Sequence, residues 1–276
     1  MNKYLTVVRG GGDLATGVVY RLVRAGFPVV VTEAAEPTVV RRTVALAEAV
    51  YQEEVVVEGL RGRRVNHPDA ALAVLKEGMV PVLVDPQALS VAHLRPWVVV
   101  DAIMAKRNLG TRISDAPVVV ALGPGFQAGV DAHAVIETNR GHYLGRVILQ
   151  GSAEPNTGVP GPVGGYSVER VLRAPGPGVV RAAKQIGAEV KVGEVVAWVG
   201  EQAVEAPIQG ILRGLIREGI AVRAGTKMGD IDPRAAREHC FTISDKALAV
   251  GGGALEAVLY LLQRRIAEMG EDPSTV

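Results

Sequence analysis

Cysteine, aromatic side chains, net charge and long apolar runs are all scarce in this chain. One cysteine, Cys240, stands among 276 residues, so no intramolecular disulfide and no multi-cysteine zinc or iron–sulfur centre can form. Only 11 residues are aromatic (3 Phe, 2 Trp and 6 Tyr), which leaves a core to aliphatic side chains. The 30 basic and 29 acidic residues nearly cancel, so net charge gives no reason to expect a nucleic-acid partner or an anionic membrane surface. No apolar run exceeds six residues, against the ~20 that cross a bilayer. The opening MNKYLTVVRGGG also lacks the apolar centre of a signal peptide. The expectation is a cytoplasmic protein without a membrane span.

What the chain has instead is glycine, 33 residues of it, with 16 prolines and a hydrophobic fraction of 48%. That apolar content excludes a disordered chain, and the glycines show no every-third-residue period, which excludes collagen. A length of 276 residues suggests two domains. Valine-rich runs at Leu5–Arg9, Pro28–Thr32, Val55–Val57, Val80–Val84, Val98–Val100 and Val118–Leu122 read as strands. Helical spacing is predicted between them over Asp13–Ala25, Thr38–Tyr51, Pro68–Lys76, Gln87–Leu94 and Ala128–Thr138. Strands without polar alternation are buried on both faces, so residues 1–150 are expected to form a Rossmann-like parallel sheet of the doubly wound α/β class.

Two glycine loops follow strands of that sheet. In RGGGDLATG, Gly10, Gly12 and Ala15 fit the dinucleotide pattern G-x-G-x-x-G/A, with Gly11 and Asp13 inside the same turn. Glycine lets backbone N–H groups approach a phosphate, and the following helix N-terminus favours an anion there. Glu33, at the end of the second strand, stands where an acidic group meets a ribose hydroxyl. Asp13 opposes a phosphate and suits a helix cap. The second loop, LGPGF, offers Gly123, Pro124 and Gly125. A polar cluster follows it: Asp131, His133, Glu137, Arg140 and His142. A helical salt-bridge face explains His133 and Glu137 without a metal ion, whereas Arg140 and His142 are candidate anion contacts. Lys106, Arg107 and Thr111 would add charge to the same crevice.

Residues 151–170 are rich in Gly and Pro and read as a linker. Beyond it the sequence repeats at an offset of 32 residues: Ala174-Pro175-x-x-Gly178 returns as Ala206-Pro207-x-x-Gly210, and Gly187, Val190 and Gly193 return as Gly219, Val222 and Gly225. Arg181 likewise matches Arg213. Residues 171–232 resemble the barrel-sandwich fold of biotinyl and lipoyl carriers. The hairpin between the copies, Gly200-Glu201-Gln202-Ala203, has no lysine, so no covalent biotin or lipoate is expected. Residues 233–276 hold a helix predicted over 254–267, with Gly251, Gly252 and Gly253 as a break or close-packing site before it. Cys240 reads as buried filler.

RGGGDLATG, TEAAEPTVVRR, DAIMAKRN, LGPGF, ETNRGHYLGR, GDIDPR and FTISDKA, in that order, resemble the accessory proteins of selenium-dependent molybdenum hydroxylases, relatives of the xanthine dehydrogenase accessory proteins. The resemblance implies maturation of a molybdenum hydroxylase, with that enzyme as partner and a phosphorylated molybdenum cofactor as ligand. It implies cofactor contacts at Gly10–Asp13, Gly123–Gly125, Arg140 and His142. Glu33 and the glycine fingerprint favour the alternative of a nucleotide ligand in an NAD(P)-dependent oxidoreductase, and a ligand-free interaction module is the third reading.

Overall fold

A computed structural model describes residues 4–270. Its large sheet has nine strands: β1 (Thr6–Arg9), β2 (Val29–Glu33), β3 (Glu54–Val57), β4 (Leu60–Val65), β5 (Val80–Val84), β6 (Val98–Asp101), β7 (Val118–Leu122), β8 (Ala134–Ile136) and β9 (Val147–Ile148). Their order is β3-β4-β5-β2-β1-β6-β7-β8-β9. The inner seven run parallel, while β3 pairs antiparallel with β4 and β9 with β8. Val8, Val100 and Val120 face one side and Val7, Val99 and Val119 the other, and all six are fully buried, which is why the sequence shows runs rather than alternation.

The expected Rossmann domain plus barrel-sandwich domain is corrected here. The large sheet is mixed, not all parallel, and only four of its eight connections hold an α-helix. Helices α1 (Asp13–Arg24), α2 (Ala49–Gln52), α3 (Pro68–Lys76) and α4 (Ser90–Leu94) are joined by α5 (Asp245–Glu268) from the far end of the chain. Thr38–Tyr51 is mostly not α-helix, because tertiary contacts occupy its backbone: the Leu46 N–H donates to Thr16 Oγ1 and the Ala47 N–H to the Gly11 carbonyl. Ala128–Thr138 is likewise a turn followed by β8 rather than a helix, so His133 and Glu137 share no helix face. His133 accepts from the Val119 N–H, and Glu137 accepts from the N–H groups of Asn139 and Glu154.

The second half forms two four-stranded antiparallel sheets from β10 (Val171–Arg173), β11 (Gly178–Ala182), β12 (Glu189–Val190), β13 (Val195–Val199), β14 (Gln202–Glu205), β15 (Gly210–Leu215), β16 (Ala221–Val222) and β17 (Lys227–Asp232). Their orders are β10-β17-β15-β12 and β14-β13-β11-β16. These sheets are bound to the large one through residues 40–48. The Leu215 N–H donates to the Val40 carbonyl, Arg42 to the Leu215 carbonyl and Thr43 to the Cys240 carbonyl, while Arg217 pairs with buried Glu48.

Candidate functional site

The chain leaves β1 through Gly10, whose φ is +91° and at which a Cβ would come within 3.0–3.1 Å of the Ala102 and Ile103 backbone. Gly12 then caps α1 in an extended conformation and faces open space, with no atom nearer its Cβ position than Val39 Cγ2 at 3.9 Å. The first-turn N–H groups of α1 have no partner within the helix, and they open into a crevice. Its first half, about 460 Å³, lies between Gly10, Gly12, Glu33, Val39 and Met104. The second, about 450 Å³, adjoins it through Asp13, Leu14, Arg41, Met104 and Lys227.

The candidate residues divide between these halves. Gly10, Gly12, Asp13 and Glu33 line the first, and Asp13, Pro124 and Arg140 the second. Gly11 lies behind the wall, where a Cβ would come within 2.8 Å of the Ala47 nitrogen. Glu33 is turned onto that loop: Oε2 accepts the Gly11 N–H and Oε1 the Ala34 N–H, each at 2.7 Å. Burial nevertheless pushes its carboxyl above the usual range. Gly123 and Gly125 are packing positions, their Cβ sites 2.6 Å from Thr138 Oγ1 and from the Arg107 backbone. His142 lies on an exposed turn against the Tyr143 ring, outside both halves. Arg140 makes a two-pronged ion pair with Asp245 at 2.9 and 3.0 Å. Arg9, Asp101 and Thr111 instead form a buried cluster behind β1 and β6.

Most of the charge of the second half comes from residues that the sequence reading did not place in the crevice. Arg170, Arg173, Arg213, Lys227 and Lys246 join Arg41, Lys106 and Arg140, against only Asp13, Glu154 and Asp230. Asp230 is held by Arg170 at 2.9 Å, and Asp13 faces Arg41 at 3.4 Å. Arg213 is buried, and its Nε has no hydrogen-bond partner. Burial and the nearby Arg41 both pull its pKa down. Lys246, in the first turn of α5, is likewise pulled down by burial and by Arg140. The available signal was the repeat itself: Arg181 lies over the Trp198 ring, whereas its repeat partner Arg213 is buried in the crevice wall.

Asp232 anchors the arginine layer. Burial alone would raise its pKa, but hydrogen bonds from the Arg234 side chain and backbone, with Arg213 beyond them, outweigh burial and hold it at about 2. Its stabilisation is therefore complete above its ordinary value of 3.8 and lost as pH falls through about 2. The shift corresponds to about 2 kcal/mol. In urea titrations from pH 6 to pH 2, Asp232→Asn should lower stability at pH 6 by about that amount and flatten the acid limb. An unchanged acid limb would remove Asp232 from this role.

No protein-family model matches the chain. It is 50% identical over 262 residues to the uncharacterized protein YqeB of Escherichia coli (strain K12), covering 95% of this chain and 48% of that protein. The chain thus spans about half the length of the curated relative it matches. Among solved structures it is similar to an aspartoacylase family protein from Mesorhizobium loti, at 13% identity over 84% of this chain and 85% of that one, with a TM-score of 0.26. It is similar also to the apo ectoine utilization protein EutE (DoeB) from Ruegeria pomeroyi, at 12% identity over 83% and 86%, with a TM-score of 0.24. A third is a succinylglutamate desuccinylase/aspartoacylase from Rhodobacter sphaeroides, at 15% identity over 83% and 85%, with a TM-score of 0.26. Such scores transfer neither a site nor an activity.

These findings correct the resemblance drawn from the motifs. The proteins named above are the uncharacterized YqeB, two aspartoacylase or desuccinylase family proteins and an ectoine utilization protein, and they give no support to a molybdenum hydroxylase accessory family. The maturation role, the selenium and molybdenum chemistry and the molybdenum hydroxylase partner are withdrawn with it. Nor do those proteins support the oxidoreductase or the ligand-free alternative. Among the described residues, no helix is long and apolar enough to cross a membrane, and no group of three or more His, Cys, Asp or Glu could hold a metal ion.

Proposed function

We propose that the chain binds a nucleotide in the crevice, with the phosphates in its basic half and the base and ribose in the half walled by Leu14, Val39 and Met104. The observation that carries this reading is the charge imbalance of the basic half: eight cationic side chains line it against three carboxylates, and with Asp245 and Asp232 pairing Arg140 and Arg213 from behind the lining, three cations remain in excess in a protein whose net charge is +1. Concentrating cations in a concave site is unfavourable without an anion to neutralise them. The first turn of α1 adds unpartnered N–H groups at the junction of the halves. Pairing of Asp13 with Arg41 reduces the repulsion that a carboxylate in the glycine loop would exert on a phosphate.

Calorimetric titration with ADP, adenosine and inorganic phosphate tests this reading. ADP should bind more tightly than adenosine, and its affinity should fall as salt rises. Lys246→Gln should weaken ADP by roughly 10–100-fold, the worth of one charge-assisted hydrogen bond, and leave adenosine unchanged. Absence of ADP binding at millimolar concentration, or equal affinity in the variant, would overturn the proposal.

A further inference from the structure

A second cavity, of about 870 Å³, is larger than either half of the crevice. It lies between α4 and the 109–117 segment, on the face of the large sheet that carries α3 and α4. It exists because residues 102–117 join the parallel strands β6 and β7 without a helix. Such a crossover is usually helical, and its absence leaves the groove partly unfilled.

The walls of this cavity have two characters. Val91, Trp97 and Pro117 are apolar, and the Trp97 ring is held edge-on by Tyr4 at 5.6 Å. Arg95 and Arg112 are cationic, and the lining carboxylate is Asp115, which accepts the Arg112 N–H at 2.9 Å, while the charge of Arg9 is paired with Asp101 at 3.6 Å. Arg9 is 3% exposed and binds Thr111 and the Leu109 carbonyl, yet its Nε has no partner. Among the described residues, the Arg95 and Arg112 side chains enter no hydrogen bond or ion pair. An apolar slot with a tryptophan wall and two uncommitted guanidinium groups matches a ligand with a flat apolar body and an acidic group. The volume lies in the range of small-molecule sites.

We propose that this cavity is a binding site for a small planar aromatic carboxylate or sulfonate, separate from the nucleotide crevice and independent of that reading. The aromatic body lies along Trp97, and Arg95 and Arg112 hold the anion at the mouth.

Trp97 is one of only two tryptophans, which makes the site directly observable. The probes are anilinonaphthalene sulfonate and its uncharged counterpart N-phenylnaphthylamine, read by energy transfer from tryptophan in the full chain. The sulfonate should bind saturably with transfer that survives in Trp198→Phe and is lost in Trp97→Phe. The double variant R95Q/R112Q should weaken it by roughly 10-fold or more, as expected for loss of charge-assisted contacts. The uncharged probe should show no comparable transfer. Transfer that persists in Trp97→Phe, affinity unchanged in R95Q/R112Q, or equal binding of the uncharged probe would each overturn the proposal. Should Trp198→Phe fail to fold, the contrast between Trp97→Phe and the native protein still decides it.

Discussion

Gly251→Leu is expected to destabilise the protein by at least about 3 kcal/mol, the upper end of overpacking in a filled core. The cause is a close approach of α1 and α5 at backbone level. A Cβ on Gly251 would lie 2.4 Å from the Gly17 carbonyl oxygen, and one on Gly17 would lie 2.4 Å from that of Ala247. Neither contact can be relieved by rotating a side chain, because both obstacles are backbone. Gly252, the next residue, is the internal control: its Cβ would meet nothing within 4 Å, so Gly252→Ala should gain about 0.5–1 kcal/mol from helix propensity. Thermal unfolding should show the first variant lowered by roughly 6–12 °C and the second slightly raised. A Gly251→Leu protein melting with the wild type would mean that the helices separate freely.

The same triplet shows how far the sequence could be read. Three glycines in a helix cost about 3 kcal/mol in propensity, and local reasoning therefore begins the helix after them, at 254. In the structure α5 begins at Asp245, capped by Ser244, and runs through all three. Tertiary packing supplies what propensity lacks: Gly251 touches α1, and Gly253 lies against the Gly145 carbonyl. No local pattern reveals that two distant glycine positions face each other.

The valine strands were legible because burial on both faces leaves an unbroken apolar run. β5 and β7 fall at Val80–Val84 and Val118–Leu122, as their runs predict. β4 was invisible for the opposite reason. Its LRGRRV carries three arginines near the sheet's edge, where Arg63 reaches Glu54 and Glu77 in solvent. The 32-residue repeat was legible as glycines, and the structure gives it a topological meaning. Gly187 and Gly219 share φ values of +91° and +89°, and Gly193 and Gly225 share +79° and +77°. Each small sheet draws two strands from each copy, since β10, β12, β15 and β17 in one correspond to β14, β16, β11 and β13 in the other. Equivalent backbones thus interlock, yet Arg181 and Arg213 meet different surroundings, solvent in one case and the crevice in the other. The basic half of the crevice escaped sequence reading because its cations come from both halves of the chain and from no single motif.

Asp101→Ala should cost about 3–5 kcal/mol, and the double change R9M/D101L should recover most of that loss. Arg9 and Asp101 end the neighbouring strands β1 and β6, paired in register, with their charges 3.6 Å apart and almost fully buried. Thr111 joins them, donating to Asp101 at 2.5 Å and accepting from Arg9, which fixes the 109–111 segment over the sheet. Burial pushes the Asp101 carboxyl above its usual range, although Thr111 and Arg9 both favour the ionised form. The direction of that shift implies that ionised Asp101 costs folding free energy: stability is greatest below its unfolded pKa and declines as pH rises through the folded value. Removing the carboxylate alone is nonetheless harmful, because it leaves the Arg9 charge buried and uncompensated. Replacing both by apolar groups of similar size removes the burial penalty of both charges and the accompanying pH dependence. Urea unfolding of the wild type and the two variants between pH 4 and pH 8 distinguishes these effects. If R9M/D101L is as unstable as Asp101→Ala, the pair contributes net stability by holding residues 109–111, and the burial argument fails.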